Sequence, residues 1–579
     1  MKFSIFLWVC TCCVVVAHEK GPLPVPTYFH RRHENGSIVN AKDPRTRNWM
    51  DGPFDNRISQ ENIDAKLKVW PEEVENAGQV TVLWEGIPNP TKDDRIGYYC
   101  PFYDNPKHAL DTIDVTKSPT WHEGYGYYTV NLFNMRAACV FRYYNSAKAL
   151  VAVSNKVKFT NGDIYSPLHV HLSMTNKPTE MRVMWNSAKI DRGILCRYGK
   201  SKVFNMTQTT FESHTYKASD MCESPANNNA TWYWDPGYIY DVLLTELEPN
   251  TRYYYSCGTE EYMTPTYNFT TPITPGDKTP FNFIVYGDMG LEAFPEGIET
   301  AKLVRQEIDS HDVRFVYHHG DLSYATGLAY IWEQWFHLIQ PYASLIPYMV
   351  GIGNHEYDHV SGHAKDPSKQ PNFRPSWFNG GTDSGGECGV PMFHRWHMPD
   401  NGLAIYWYSY DYGMVHMVML STEHDYRPGS PQYIWLENDL KSVDRTKTPF
   451  IMVGGHRPMY CSEAYPVNYG IALHMQQYFE DMFYKYKVTV GLWAHYHAYE
   501  RTCKVYRNEC RDDGILHLLI GSGGRSLDRD EWYKKEWSVF HKTDYGYGRF
   551  SVKNSTHIFF EFVENSSQTV LDSVWITAD

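Results

Sequence analysis

Phe281-Asn-Phe-Ile-Val-Tyr-Gly-Asp-Met-Gly290 is an apolar run of strand length that ends on glycine and a carboxylate. The same construction recurs four times downstream. Val313 to Tyr317 leads into Gly320-Asp321-Leu-Ser-Tyr324, and Ile346 to Ile352 leads into Gly353-Asn354-His355-Glu356. Phe450 to Val453 leads into Gly454-Gly-His456-Arg457-Pro458, and Val488 to Trp493 leads into Ala494-His495-Tyr496-His497. Each run delivers an oxygen or nitrogen side chain able to hold a metal. Between the runs, residues 296–309 place Ile298, Leu303 and Ile308 at roughly helical spacing, and 330–339, 432–443 and 471–484 also read as helices. Strands alternating with helices predict an α/β domain whose parallel strands are covered by helices, over residues 281–579. Strands return from Ile515 onward, including Ile558 to Val563. In open α/β sheets the functional crevice lies beyond the carboxyl ends of the strands, which is where all five motifs place their polar residues.

Upstream the periodicity is that of strands alone. Val80, Val82 and Trp84 alternate, Tyr125 to Leu132 is rich in Tyr and Val, and Leu150 to Val157 is a further strand candidate, so 61–162 reads as an all-β sandwich module. Met181, Val183 and Trp185 repeat the spacing of Val80, Val82 and Trp84. Leu247-x-Pro249-x-Thr251-x-Tyr253-x-Tyr255 resembles the fibronectin type III pattern at its tyrosine corner, giving a second sandwich over 166–273. The Trp and Tyr residues of both modules read as core. Thr270 to Pro280 is a Pro/Thr linker, and 18–60 is a polar, Pro-containing leader.

The whole chain, 579 residues long, exceeds what one core can organise. Its formal net charge of −13 speaks against a nucleic-acid partner, though not against small phosphorylated substrates, because a bound metal pair can dominate the local field. Lys2, the apolar stretch Ile5 to Val16 and Val15-x-Ala17 read as a signal peptide over 1–17, and no later segment is long and apolar enough to span a bilayer. Secretion, or delivery to a lysosomal or vacuolar lumen, is the expected destination. Of 12 cysteines, Cys10, Cys12 and Cys13 leave with the signal. The nine that remain suit disulfide bonding with one thiol left over; Cys503 and Cys510 are close enough to close a small loop. Six sequons, at Asn35, Asn205, Asn229, Asn268, Asn554 and Asn565, are compatible with a glycoprotein.

Taken singly, the five motifs are ordinary. G-D-M-G is a common turn, an isolated Tyr is usually core, and only G-N-H-E and the paired His495 and His497 have some specificity. Together, and in this order, D-x-G, G-D-x-x-Y, G-N-H-E, V-x-x-H and A-H-Y-H resemble the metallophosphoesterases known as purple acid phosphatases. The tyrosine of G-D-x-x-Y separates these from other metallophosphoesterases. Gly385 to Met392 and Tyr499 to Cys510 resemble the large plant-type subgroup, whose two β modules match those upstream here.

The resemblance implies a ferric ion on Asp288, Tyr324 and His497, with Asp321 bridging to a divalent zinc, iron or manganese on Asn354, His456 and His495. Donor chemistry agrees: phenolate and carboxylates are hard anionic donors for Fe(III), whereas imidazoles and an amide suit a divalent ion. The implied reaction is two-metal hydrolysis of a phosphate monoester by an acid phosphatase, with His355 contacting phosphate and protonating the leaving alkoxide. His355 has a structural alternative as a hydrogen-bonding neighbour of the ligands. Arg457 is a phosphate contact by charge alone. Ala494 stands where the family has glycine, which is costly only if that residue needs positive φ. Pro466 stands where smaller members carry a substrate-contacting histidine, and His474 is a weak replacement for it. The Gly521-Ser-Gly-Gly524 stretch lacks the ending of a P-loop and reads as a tight turn near the site. Two rival functions stand beside the first: a phosphodiesterase or nucleotide pyrophosphatase with the same metals, and a non-catalytic binding or adhesion protein. The expected partner is a small phosphorylated substrate, and a homodimer is admitted as the assembly.

Overall fold

The computed structural model describes residues 64–578 except 77, 101–108, 110, 161–163, 211, 229–233, 292–295, 360–362 and 529–530. The expected signal peptide and leader, and the sequons at Asn35 and Asn229, lie outside the described residues.

The first β region pairs a three-stranded sheet (Lys66–Trp70, Gly78–Glu85, Gly126–Leu132) with a four-stranded one (Asp111–Asp114, Arg95–Tyr99, Val140–Tyr144, Leu150–Val153). Val80, Val82 and Trp84 alternate inward to their shared core, as a period of two requires. The strand expected to run to Val157 stops at Val153; Val157 instead makes an isolated bridge to Cys139, whose sulfur is bonded to Cys100. The second region stacks two four-stranded antiparallel sheets, one led by Leu168–Ser173 and Met181–Ser187, the other built on Ile194–Gly199 and Arg252–Gly258. Cys196 and Cys257, opposite each other on adjacent strands, are bonded. At its tyrosine corner the Tyr253 hydroxyl accepts the Glu248 N–H at 3.0 Å.

The C-terminal half is richer in strands than one helix-covered parallel sheet. Two mixed sheets face each other. The first runs Tyr348–Gly351, Val313–His319, Phe281–Tyr286, Gly546–Asn554, His557–Glu564, Val570–Thr577, and only its first three strands are mutually parallel. The second has a parallel centre of Val415–Met419, Phe450–Gly454, Val490–Trp493 and Ile515–Ile520, with antiparallel strands at both flanks. Its side chains divide by parity: Phe450 and Met452 enter the core between the sheets, while Ile451 and Val453 meet the helices Pro431–Ser442 and Pro466–Lys485. Helices Glu296–His311 and Ala329–Ala343 pack with the first sheet, and their buried residues are continuous with the core that holds Phe450 and Met452.

Helix Ala329–Ala343 is also where all three regions meet. Its Glu333 is fully buried, with Arg136 of the first β region 2.7 Å from one carboxylate oxygen and Arg395 on the other. Burial alone would push the Glu333 carboxyl up, but the two guanidiniums outweigh it and hold it below its ordinary value. One turn on, His337 accepts from the Asn76 amide and donates to the Asn134 carbonyl. From the second region, Val170 N–H donates to Gln340 and the Tyr255 hydroxyl to the Ser344 carbonyl. The Cys222–Cys388 disulfide adds a covalent tie between that region and the C-terminal half.

Candidate metal centre

Asp288, Asp321, Asn354, His456 and His495 each follow a strand by two or three residues, three from the first sheet and two from the second. All five strands end on the same side, so the side chains converge across the gap between the sheets. The convergence demands unusual backbone. Asp288, Asp321, Tyr324 and His495 have φ of 56°, 53°, 53° and 74°, a left-handed region that non-glycine residues rarely occupy. Close approach explains Gly353, where an added Cβ would lie 2.1 Å from Asp321 Oδ1.

The donors sort into two groups. Tyr324 Oη is 2.9 Å from both Asp288 Oδ1 and His497 Nε2, which are themselves 3.3 Å apart. Asn354 Oδ1 is 3.0 Å from His456 Nε2 and 2.9 Å from His495 Nδ1, and the two ring nitrogens are 3.2 Å apart. Asp321 lies between: its Oδ1 is 3.3 Å from His456 Nε2, and ligand atoms of Asp288, Asp321 and His456 fall within 4.8 Å of one another. With both rings neutral and turned to present lone pairs, Asn354 Oδ1, His456 Nε2 and His495 Nδ1, within 3.2 Å of one another, offer three donors to one cation. The donor set therefore fits two cations, one with an anionic oxygen-rich shell and one with a nitrogen-rich shell.

The electrostatics follow from burial and the carboxylates. Burial alone would lower His456 and His497, but Asp321 and Asp288 outweigh it and hold both rings up at about 9. Burial, helped by Asp288 and Asp321, pushes the Tyr324 phenol well above its ordinary value; the Arg525 guanidinium, 4.5 Å over the ring, opposes this. His495 is held well below the ordinary imidazole value by burial and then by Arg457.

Around the donors lie residues to which the sequence assigns no role, Glu356 at the end of the G-N-H-E motif among them. Glu356, fully buried, accepts the N–H groups of Asp321 (2.8 Å), Leu322 (2.8 Å) and Gly353 (3.0 Å), so one carboxylate fastens two of the ligand loops together. Burial, with the neighbouring Asp321 charge, raises it to about 8. Asp383 accepts the Asn354 amide at 3.2 Å, which turns Asn354 Oδ1 toward the histidines. The Asp383 main-chain carbonyl lies 3.0 Å from His355 Nδ1 and accepts its hydrogen, leaving His355 Nε2 on the side of Asp321 Oδ2, 3.9 Å away.

His355 lies tilted against Tyr324 with ring centroids 4.3 Å apart and keeps 26% of its side chain exposed, so a ligand can reach it. Arg457 is placed differently from a phosphate contact. It is 1% exposed, its Nε donates to Glu423 at 2.8 Å, and its Nη1 lies 3.1 Å from Asn379 Oδ1 and 3.2 Å from His495 Nε2. Its charge is matched by Glu423 and it sits behind His495, together with Asn468, which is 2.9 Å from the same nitrogen.

Ala494 is not among the left-handed residues, so its methyl carries no backbone strain; the strain sits on His495 instead. The methyl is fully buried over Gly287, where a second Cβ would collide at 2.4 Å. Pro466 opens the helix Pro466–Lys485, and His474 within it stacks on Trp377. The turn at Gly521–Gly524 touches the centre: Gly523 N–H donates to Gly287 and Arg525 N–H to the Asp288 carbonyl.

Three family models match in succession. Residues 167–271 match "Purple acid Phosphatase, N-terminal domain", 281–499 match "Calcineurin-like phosphoesterase", and 514–573 match "Iron/zinc purple acid phosphatase-like protein C". The chain is 31% identical to "Probable inactive purple acid phosphatase 9" of Arabidopsis thaliana, over 90% of this chain and 87% of that protein. It is also 31% identical to "Nucleotide pyrophosphatase/phosphodiesterase" of Hordeum vulgare, over 54% of this chain and 87% of the relative. Purple acid phosphatase PPD1 from yellow lupin (Lupinus luteus) seeds superposes with a TM-score of 0.78 at 29% identity, covering 89% of this chain and 96% of that one.

Proposed function

Because the chain belongs to the purple acid phosphatases, we propose that it hydrolyses phosphate monoesters in an acidic, extracytoplasmic setting. In this reading Asp288, Tyr324 and His497 hold Fe(III), Asn354, His456 and His495 hold a divalent zinc, iron or manganese, and Asp321 is shared. The observation that carries it is the sorting of seven donors into an oxygen-rich and a nitrogen-rich group joined by one carboxylate. When bound, such a metal pair supplies an activated water and neutralises charge on the phosphoryl group.

The chain's own residues set the geometry. Asp288 Oδ2 accepts the His495 N–H at 2.8 Å and so spaces the two donor groups. Asp383 fixes the Asn354 amide and leaves His355 Nε2 facing the reacting ester. A proton on that nitrogen passes to the leaving alkoxide as its bond to phosphorus breaks. Arg457 and Asn468 hold His495 from behind, and Arg457 does not bind phosphate in this scheme.

The barley relative's printed name favours a second reading, a phosphodiesterase with the same centre. The ratio of kcat/KM for a monoester and a diester sharing one leaving group separates them; a dominant diester rate overturns the first. The Arabidopsis relative's "probable inactive" label bears on a third, non-catalytic reading. Metal analysis of the purified secreted protein decides that one: about two metal ions per chain, one of them iron, with turnover, is the expected result, and a metal-free, inert protein sinks the proposal. Secretion is tested in the same preparation, and sedimentation tests the homodimer.

A further inference from the structure

The tight hairpin between Gly546–Asn554 and His557–Glu564 carries a sequon at its tip, Asn554-Ser555-Thr556. Asn554 is exposed. Its Oδ1 accepts three hydrogen bonds, from the Thr556 N–H (2.9 Å), the Thr556 hydroxyl (2.8 Å) and the His557 N–H (2.9 Å). These fix the amide plane, and among the described residues Nδ2 makes no hydrogen bond. Beside it, on the edge strand Val570–Thr577, Trp575 is 57% exposed, with its ring against Phe559 (4.8 Å) and His557 (6.0 Å). A depression of about 400 Å³ is lined by Lys553, Asn554, His557, Trp575 and Thr577. An indole more than half in water, in the same depression as an outward-facing amide nitrogen, is apolar surface that the protein fold leaves uncovered.

The other described sequons differ. Asn565 is 5% exposed and its Nδ2 donates to Thr300 Oγ1 at 2.7 Å, so a sugar there has no room in the folded protein. Asn268 is half-buried within the strand Tyr267–Thr270, and Asn205 is exposed.

We propose that Asn554 carries an N-linked glycan whose first N-acetylhexosamine ring lays its apolar face on Trp575. The donor is a lipid-diphosphate-linked oligosaccharide. A bond forms between sugar C1 and Asn554 Nδ2, the C1–O bond to the lipid diphosphate breaks, the diphosphate leaves with the electron pair, and one amide proton passes to the transferase. Transfer precedes folding, so the fold governs what the sugar meets afterwards. The indole offers an electron-rich face to the C–H groups of the sugar, and the glycan then shields the open edge of the six-stranded sheet from pairing with another chain. The proposal rests on passage through the secretory pathway, expected from residues 1–17.

The test uses the full chain secreted from a eukaryotic host. Enzymatic deglycosylation in isotopically labelled water, followed by peptide mass mapping, is expected to mark Asn554 and not Asn565. Trp575→Ala is expected to lower the melting temperature by about 2–4 °C in the glycosylated protein, and by less than half as much in the Asn554→Gln background. An unmodified Asn554 peptide from the secreted protein overturns the site. An equal loss in both backgrounds overturns the packing on Trp575.

Discussion

Tyr324 is the residue on which the iron assignment turns, since its phenolic oxygen is 2.9 Å from Asp288 and from His497. Tyr324→Phe is expected to abolish most of the visible absorbance while leaving the far-ultraviolet circular dichroism unchanged; a persisting band removes Tyr324 from the iron. Asp383 is the residue whose role is purely orienting. Asp383→Ala frees the Asn354 amide and alters the loop carbonyl that holds His355, and a loss of about 10–100-fold in kcat is expected, with KM moving far less. Equal losses in kcat and in 1/KM would mean that Asp383 touches substrate instead. At this scale the sequence was legible where a motif places a donor beside a strand end, as at Asp288 and His456. It was illegible where a charge is buried by a distant partner. Arg457 reads as a free cation in the chain, because Glu423, which neutralises it, lies 34 positions away. Asp383, among glycines in an aperiodic loop, gives no signal until the backbone brings it to Asn354.

Among the elements, the strands that carry the donors were readable because apolar runs of that length have few alternatives. The runs Phe450 to Val453 and Val488 to Trp493 fold as the strands Phe450–Gly454 and Val490–Trp493, within two residues of the expected bounds. Their neighbours were not readable. Gly546–Asn554 pairs antiparallel to Phe281–Tyr286 across most of the C-terminal half, and nothing local in either segment specifies that register. The second sheet also contains a clamp that predicts a pH response. His416, on Val415–Met419, contacts Asp411 at 2.6 Å and Asp439 of the helix Pro431–Ser442 at 2.9 Å. Burial opposes protonation of this ring, but the two carboxylates win and raise it to about 9. A raised histidine stabilises the fold fully below its unfolded value near 6.5 and loses that contribution as pH climbs through about 9. His416→Gln is therefore expected to cost on the order of 2–3 kcal/mol at pH 6 and little at pH 10, measured as the difference in urea unfolding free energy from the unsubstituted protein. A pH-independent difference would make His416 a packing residue.

For the whole molecule, the helix Ala329–Ala343 joins parts that the chain order keeps far apart. Glu333→Ala leaves Arg136 and Arg395 buried without a counter-charge, and a loss of about 3–5 kcal/mol is expected, since breaking one side of a buried pair is severe. Thermal unfolding of the variant should show the first β region melting ahead of the rest; a single unshifted transition refutes the junction. Among the described residues no helix is long and apolar enough to cross a membrane. Tandem β regions and an α/β half were legible from changes of period alone, whereas their docking was not, because its contacts are single polar residues with no pattern. The Cys222–Cys388 bond has a consequence for synthesis. Cys222 emerges between Cys196 and Cys257, which bond to each other, and its own partner arrives 166 residues later. Cys222 therefore has to avoid pairing with Cys196 or Cys257, or be released from such a pair by thiol–disulfide exchange, for the native bonds to form. The loop bearing Asp383 is thus fastened to the second β region by a bond that only the arrival of Cys388 makes possible.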